Sequence, residues 1–198
     1  RIVECKTGEV VYQRTLPLSI VPGLYEFAKV NGCGLITYQG PGVISAFEPD
    51  DYVQLEARIN GIPIKVVDNF VEYVNFDINK CLMTAPEEIA PELEKQLQEK
   101  YSDVASIYRS EPYFIEIMPK DVNKATSLDH MLEGMGLTRE NAICCGDGYN
   151  DISMIEYAGT GVAMGNAQPA VKDAADYITG TNDEDGLVEV IDKFIMNP

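Results

Sequence analysis

The hydrophobic positions along the chain change their rhythm near residue 120. Beyond this point, segments with apolar residues three or four apart alternate strictly with short apolar runs. The predicted order is a helix at 124–135, a strand at 142–145, a helix beginning near 150, a strand at 161–164, a helix at 169–175, a strand at 177–179 and a helix at 185–196. Repeated strand–helix units of this kind predict a parallel, doubly wound sheet.

The earlier part of the chain contains more strand-like runs than helical stripes. Strands are predicted at 2–5, 10–12, 35–38, 64–67, 81–83, 104–108 and 113–118, and helices at 21–31, near 55–59 and through 93–101. The segment Thr84–Glu87 has the pattern of a capping box and is predicted to begin the third helix. We therefore expect a core hairpin at 1–14, an α+β module at 15–114, and a further piece of the doubly wound core at 115–198.

Composition narrows the function classes. A net charge of −17 over 198 residues argues against nucleic-acid binding, because such a surface repels phosphate backbones. No apolar run approaches the ~18 residues that a membrane span needs. The five cysteines form no C-x-x-C pair, which favours reduced thiols in a cytoplasmic protein. With one histidine, His130, a His/Cys zinc site and a Ser-His-Asp triad are both disfavoured.

The segment with the most chemical information begins at a predicted buried strand, Ala142–Cys145. A Gly-Asp-Gly turn follows it and carries Asp147, and Asn150 and Asp151 then open a segment with helical spacing. Open α/β sheets place their ligands at the carboxyl ends of strands, where these side chains fall. Carboxylate and amide oxygens are ligands that Mg²⁺ prefers. The pattern therefore predicts a magnesium site that includes Asp147 and Asp151.

Residues 146–154 resemble the fourth motif of the haloacid dehalogenase superfamily, and segments 158–167 and 181–187 are similar to its Cof-type branch. The resemblance is specific from about residue 116 to 195 and architectural before that. It implies a Mg²⁺-dependent phosphatase that acts on a small phosphorylated metabolite, many members acting on sugar phosphates. The implied fold is α/β, a Rossmann-like, doubly wound parallel sheet with an inserted α+β cap domain.

The resemblance also implies roles for individual residues. Asp147 should coordinate Mg²⁺, and Asn150 should contact the phosphoryl group or hold the nearby loop. Asp151 should orient a metal-bound water or Lys124, and Lys124 should bind the phosphate and stabilise charge that develops in the reaction. Lys120 is the competing lysine, but it lies before the expected helix start.

One part of the superfamily pattern is missing from these residues. The reaction needs a nucleophilic aspartate, which forms an aspartyl-phosphate, and a second aspartate two residues later, in an Asp-x-Asp-Gly-Thr motif. No such motif occurs here. The segment Asp183–Gly186 shares some of its letters but continues with Leu187 and is interpreted as a loop and helix cap. We therefore expect an incomplete core that lacks the nucleophile segment, and either homo-oligomerisation or a noncovalently retained N-terminal piece.

Two alternatives remain open at this stage. One is a phosphotransferase or mutase of the same superfamily. The other is a non-catalytic metal- or phosphate-binding or assembly module that keeps the fold. An upstream Asp-x-Asp-Gly-Thr motif in the encoding gene would favour the enzyme over the module.

Overall fold

A computed structural model describes residues 1–196, which form two compact units. The first comprises Arg1 and Val3–Val122, and the second comprises Ile2 and the residues from Asn123 onward. The strands are β1 (Ile2–Val3), β2 (Val10–Tyr12), β3 (Gly34–Gln39), β4 (Gly42–Ser45), β5 (Ile64–Val66), β6 (Cys81–Thr84), β7 (Ala105–Glu111), β8 (Phe114–Pro119), β9 (Ile143–Gly146), β10 (Thr160–Ala163) and β11 (Tyr177–Ile178). The α-helices are α1 (Val21–Asn31), α2 (Asp51–Asn60), α3 (Phe70–Tyr73), α4 (Ala90–Tyr101), α5 (Lys124–Gly134), α6 (Ile152–Tyr157), α7 (Pro169–Asp173) and α8 (Gly186–Ile191).

The first unit is built on a six-stranded sheet in the order β5-β4-β3-β6-β8-β7. All neighbours pair antiparallel except β4 and β5, which are parallel. Its main core combines apolar residues of the sheet, such as Leu35, Met83 and Ile117, with Leu24 of α1 and Leu97 of α4. The strands β1 and β2 form a separate two-stranded sheet. The first unit is therefore a mostly antiparallel sheet with packed helices.

The boundary between the units lies later than the sequence predicted. Strand β8 is paired on both sides, with Ile115 opposite Met83 of β6 and Ile117 opposite Ile107 of β7. A boundary at 114/115 would cut this strand away from its hydrogen-bonded neighbours. The first unit accordingly continues to Val122, and it also includes residues 3–14, which the sequence interpretation assigned to the core.

At three places the structure differs from the sequence prediction. Strand β4 was missed because it follows the Gly-Pro turn of a hairpin, in which Gln39 pairs with Gly42. The short helix α3 was also missed. The predicted capping box at Thr84 is wrong, because this residue ends strand β6 and its buried hydroxyl donates to Asp50 and accepts from the N–H of Gly34. Helix α4 begins only at Ala90, without a side-chain cap.

The second unit contains the predicted alternation of helices and parallel strands. Its sheet has the order β11-β10-β9, and both strand pairs are parallel. Ile155 of α6, Ala163 of β10 and Val171 of α7 are fully buried in its core. Helix α5 begins at Lys124, as predicted, because Asn123 caps it: its side chain accepts from the N–H of Thr126 at 2.9 Å. The α/β class and the parallel sheet are confirmed.

Gly161 is a position in this unit where close packing leaves no room for a side chain. A Cβ added there would lie 2.2 Å from the carbonyl oxygen of Ile155, so α6 crosses β10 in direct contact with its backbone. We expect Gly161→Ala to lower the free energy of unfolding by about 2–3 kcal/mol, since backbone cannot move aside as a flexible side chain can. Urea unfolding followed by circular dichroism measures this. Gly134→Ala is the control, because nothing lies within 4 Å of a Cβ there, and equal stability of the two variants would contradict the prediction.

Candidate active site

The predicted motif forms a tight turn at the carboxyl end of β9. After Gly146, residues Tyr149–Asp151 make one turn of 3-10 helix that leads directly into α6. Gly146 allows the chain to fold back closely, since a Cβ there would lie 2.4 Å from the Cβ of Asp151. The turn brings Asp151 underneath the loop and leaves Asp147 exposed at its tip.

Asp151 is the buried anchor of the site. Its side chain is 7% exposed, and one carboxylate oxygen forms an ion pair with Lys124 Nζ. The other oxygen accepts hydrogen bonds from the N–H groups of Asp147 at 3.0 Å and Gly148 at 3.1 Å. Asp151 therefore contacts both the backbone of the turn and the lysine. Both oxygens have partners within the protein, and the place of Asp151 in a metal site stays a prediction.

The environment of Asp151 favours its charged form. Burial opposes ionisation of this carboxyl group, but the hydrogen bonds from Lys124, Gly148 and Asp147 and the lysine charge outweigh it and lower its pKa below the ordinary value. A carboxylate that stays charged keeps Lys124 fixed at the site. The Lys124 side chain itself remains 46% exposed.

Because of this lowered pKa, part of the free energy of unfolding should depend on pH in the acid range. The contribution is complete above the ordinary carboxyl pKa and is lost as pH falls from about 4 through the lowered value. We expect about 1–2 kcal/mol for these charge-assisted hydrogen bonds, with the lysine pair partly screened by solvent. Urea unfolding of wild type and Asp151→Asn between about pH 3 and about pH 7 checks this. The difference between the two should shrink towards low pH, and parallel curves would contradict it.

Asp147 has one oxygen held and one available. Its Oδ2 accepts a hydrogen bond from Asn166 Nδ2 at 3.0 Å, while Oδ1 has no hydrogen-bond donor among residues 1–196. Asn150 is half-buried, and its side-chain oxygen lies over the turn, 2.9 Å from where a Cβ of Gly148 would be. Its role at a phosphoryl group stays a prediction.

The donor set is compatible with magnesium. No group of three or more His, Cys, Asp or Glu side chains that could hold a metal ion occurs in the described part of the chain. Mg²⁺, however, is commonly held by one or two carboxylates together with water and phosphate oxygens. The exposed carboxylate of Asp147 meets that requirement, and it lies on the same turn as the carboxylate that anchors a lysine. These residues fit the ion as part of its ligand set.

The structure separates the two candidate lysines. Lys124 opens helix α5 and reaches Asp151 within the second unit. Lys120 lies in the turn after β8, in the first unit, and forms no ion pair with another described residue. The role of Lys124 at a phosphate stays a prediction.

Two further segments lie in the second unit. The predicted loop and cap at Asp183–Gly186 is an exposed 3-10 turn followed by α8, and Asp185 adopts a left-handed conformation with φ of 55°. The sequence interpretation gave no role to Asn166, although this residue lies in segment 158–167, which resembles the Cof-type branch, and just after strand β10. Within residues 1–196, no helix is long and apolar enough to cross a membrane.

The comparisons of this chain with known proteins agree with one another. The family model for haloacid dehalogenase-like hydrolases matches residues 1–191. A 5-amino-6-(5-phospho-D-ribitylamino)uracil phosphatase of Bacillus subtilis is 30% identical over 185 residues, which are 92% of this chain and 68% of that protein. The crystal structure of a haloacid dehalogenase-like hydrolase from Bacteroides thetaiotaomicron has 43% identity and a TM-score of 0.86, covering 96% of this chain and 71% of that one. A subclass IIB sugar phosphatase of the superfamily has 29% identity and a TM-score of 0.82, with coverage of 94% and 70%.

The similarity extends over only part of the related proteins. The matched segments span 36%, 47% and 68% of the lengths of three curated relatives. Within the chain itself, the family match runs through both compact units and includes the turn with Asp147 and Asp151. The chain therefore belongs to the haloacid dehalogenase-like hydrolase family.

Proposed function

We propose that this chain supplies the metal- and phosphate-binding part of a Mg²⁺-dependent phosphomonoesterase for small phosphorylated metabolites. The observation that carries the proposal is the Lys124–Asp151 ion pair, formed on the turn that exposes the Asp147 carboxylate at the carboxyl end of a parallel strand. An anchored cation beside a carboxylate that can hold a metal suits phosphoryl transfer, in which charge spreads over the phosphoryl oxygens.

Each side chain has a defined task in this proposal. The Asp147 carboxylate would hold Mg²⁺, which when bound supplies positive charge to the phosphoryl oxygens. Lys124 donates hydrogen bonds from its ammonium group to those oxygens while its ion pair with Asp151 keeps it oriented. Asn150 contributes an amide near the same turn. The local cation matters because a protein with a net charge of −17 does not attract an anionic substrate through its overall field.

The nucleophile is proposed to come from outside these 198 residues. Phosphatases of this type use an aspartate that becomes transiently phosphorylated, within the Asp-x-Asp-Gly-Thr motif that is missing here. Among the described residues, β9 pairs only with β10, so its other edge can accept a further parallel strand. Residues at the carboxyl end of such a strand would lie beside Asp147, because parallel strands end at the same edge of a sheet.

The names of two relatives support a proposal for the substrate class. One relative is named for a phosphorylated ribitylamino-pyrimidine and one structural neighbour as a sugar phosphatase. Both names describe small phosphate monoesters with hydroxyl-rich groups, and we propose a sugar phosphate or a related metabolite as the substrate. The five free cysteines, two of them fully or nearly fully buried in the main core, support a reducing, cytoplasmic location.

A substrate panel tests the proposal. Phosphate release is measured with the purified protein, expressed from its native start codon, on sugar phosphates, the ribitylamino-pyrimidine phosphate, a phosphopeptide and a nucleic acid with a terminal phosphate. Turnover of the small metabolites well above the macromolecular substrates is expected. Absence of turnover on every substrate, with Mg²⁺ and phosphate still bound, would favour a non-catalytic module instead. Transfer of phosphate to an acceptor other than water would identify a phosphotransferase.

A further inference from the structure

The loop that follows β10 is fastened to the site by its backbone. The N–H of Met164 donates to the carbonyl of Gly146 at 3.0 Å, and the N–H of Gln168 donates to the carbonyl of Asp147 at 3.2 Å. On its other side, the N–H of Gly165 donates to the carbonyl of Gly180 at 3.0 Å. Because these three bonds use only main-chain atoms, the path of the loop does not depend on the side chain at position 166.

Asn166 lies in the middle of this loop, and its side chain bonds to a residue of a different segment at each end. Its Nδ2 donates to Asp147 Oδ2 at 3.0 Å, and its Oδ1 accepts from the N–H of Asn182 at 3.2 Å. The carboxylate offers only acceptors and the backbone N–H only a donor. A single orientation of the amide satisfies both partners, so the side chain is fixed at both ends.

We propose that Asn166 is a positioning residue for the metal, acting through Asp147. By holding Oδ2, it stops the exposed carboxylate from rotating and presents Oδ1 towards the place where the ion would bind. This inference rests on the proposed function, since it assigns Asn166 to the same site. Partners that orient a ligand in this way contribute to affinity without touching the metal, and their removal typically weakens binding by about 10- to 100-fold.

The position of Asn166 also connects the metal aspartate with the turn before α8. The bond to Asn182 joins Asp147 to the 3-10 turn at Asn182–Glu184 through one side chain. A shift of that turn would therefore displace the side chain of Asn166 first and, through it, the carboxylate of Asp147. This linkage is absent from the sequence pattern, because 147, 166 and 182 are far apart along the chain.

Calorimetric titration with Mg²⁺ alone tests the proposal on the protein expressed from its native start codon. Asn166→Ala should weaken the Mg²⁺ affinity by about 10- to 100-fold while the metal-free unfolding midpoint stays close to that of wild type. Asn166→Leu, which keeps the shape of the side chain without its amide, should weaken it similarly. Asn60→Ala is the matched control, because Asn60 is an exposed asparagine whose Nδ2 makes one hydrogen bond of 2.9 Å in the first unit.

The outcomes separate this inference from the proposed function. If wild type binds Mg²⁺, Asp147→Ala abolishes binding and both Asn166 variants bind as wild type does, the inference is overturned and the proposed function stands. If wild type shows no saturable Mg²⁺ binding, the metal site and with it this inference are overturned. If Asn166→Ala does not fold, the comparison of Asn166→Leu with Asn60→Ala decides, and equal affinities overturn the inference.

Discussion

Lys124→Met is expected to lower the rate of phosphate release by about 100- to 1000-fold. Methionine keeps the length and much of the volume of the side chain but removes the cation that would neutralise the phosphoryl oxygens. Losing one preorganised group that stabilises transition-state charge typically has an effect of this size. The change also leaves the buried Asp151 carboxylate with only its two backbone donors. Steady-state kinetics at saturating Mg²⁺ measures the loss, and kcat should fall more than KM rises.

Lys120→Met is the matched control for this prediction. Lys120 is also an exposed lysine close to the start of α5, but it lies in the turn after β8 and forms no ion pair with another described residue. We expect its replacement to change the rate by no more than about twofold. A large loss for Lys120→Met together with a small one for Lys124→Met would reverse the assignment of the two lysines.

Asp147→Ala is expected to reduce Mg²⁺-dependent phosphate release by about 100- to 1000-fold, because it removes the one exposed carboxylate on the turn that can hold the ion. The charge that a metal supplies to a phosphoryl group is worth several kcal/mol, and each 1.4 kcal/mol corresponds to a factor of ten in rate. Raising Mg²⁺ well above the level that saturates wild type should not restore the rate. Circular dichroism should show that the fold is kept, because the backbone N–H of residue 147 bonds to Asp151 and its C=O accepts from Gln168, while its side chain makes only the hydrogen bond from Asn166.

Asp173→Ala serves as the control for Asp147→Ala. Asp173 is an exposed aspartate at the end of α7, within the same unit. Its loss alters the net charge of the protein by the same amount and should leave the rate within about twofold of wild type. If both variants lose activity equally, the effect is one of overall charge, and the assignment of Asp147 to the metal is wrong.

The second unit was the more predictable part of the fold. Alternating helical and strand-like segments identify a parallel sheet because each strand–helix repeat leaves a separate apolar signature, and β9, β10 and β11 all form as expected. The first unit was less predictable, since its strand order depends on antiparallel pairing between strands that are distant in the chain. Thr84 shows the difficulty: its local pattern fits a helix cap, but long-range bonds to Gly34 and Asp50 hold it in a strand.

The residues of the candidate site also differ in how far the sequence predicted them. The turn that carries Asp147 and Asp151 is continuous in sequence, and Lys124 was assigned from its helix start and from the family resemblance. The Lys124–Asp151 pair then appears in the structure. Asn166 was not assigned, because an asparagine after a strand is common in loops and its bond to Asp147 spans 19 positions. That part of the site depends on how β10 and its loop lie beside β9, which local patterns do not encode.

The central claim is that a metal ion held by Asp147 is required for phosphoryl transfer beside Lys124. The most direct test measures phosphate release from one accepted sugar phosphate by wild-type protein that has been stripped of metal with a chelator and dialysed, before and after Mg²⁺ is added back. We expect release near background in the stripped protein and full recovery with Mg²⁺. Release at the same rate in the metal-free protein would contradict it.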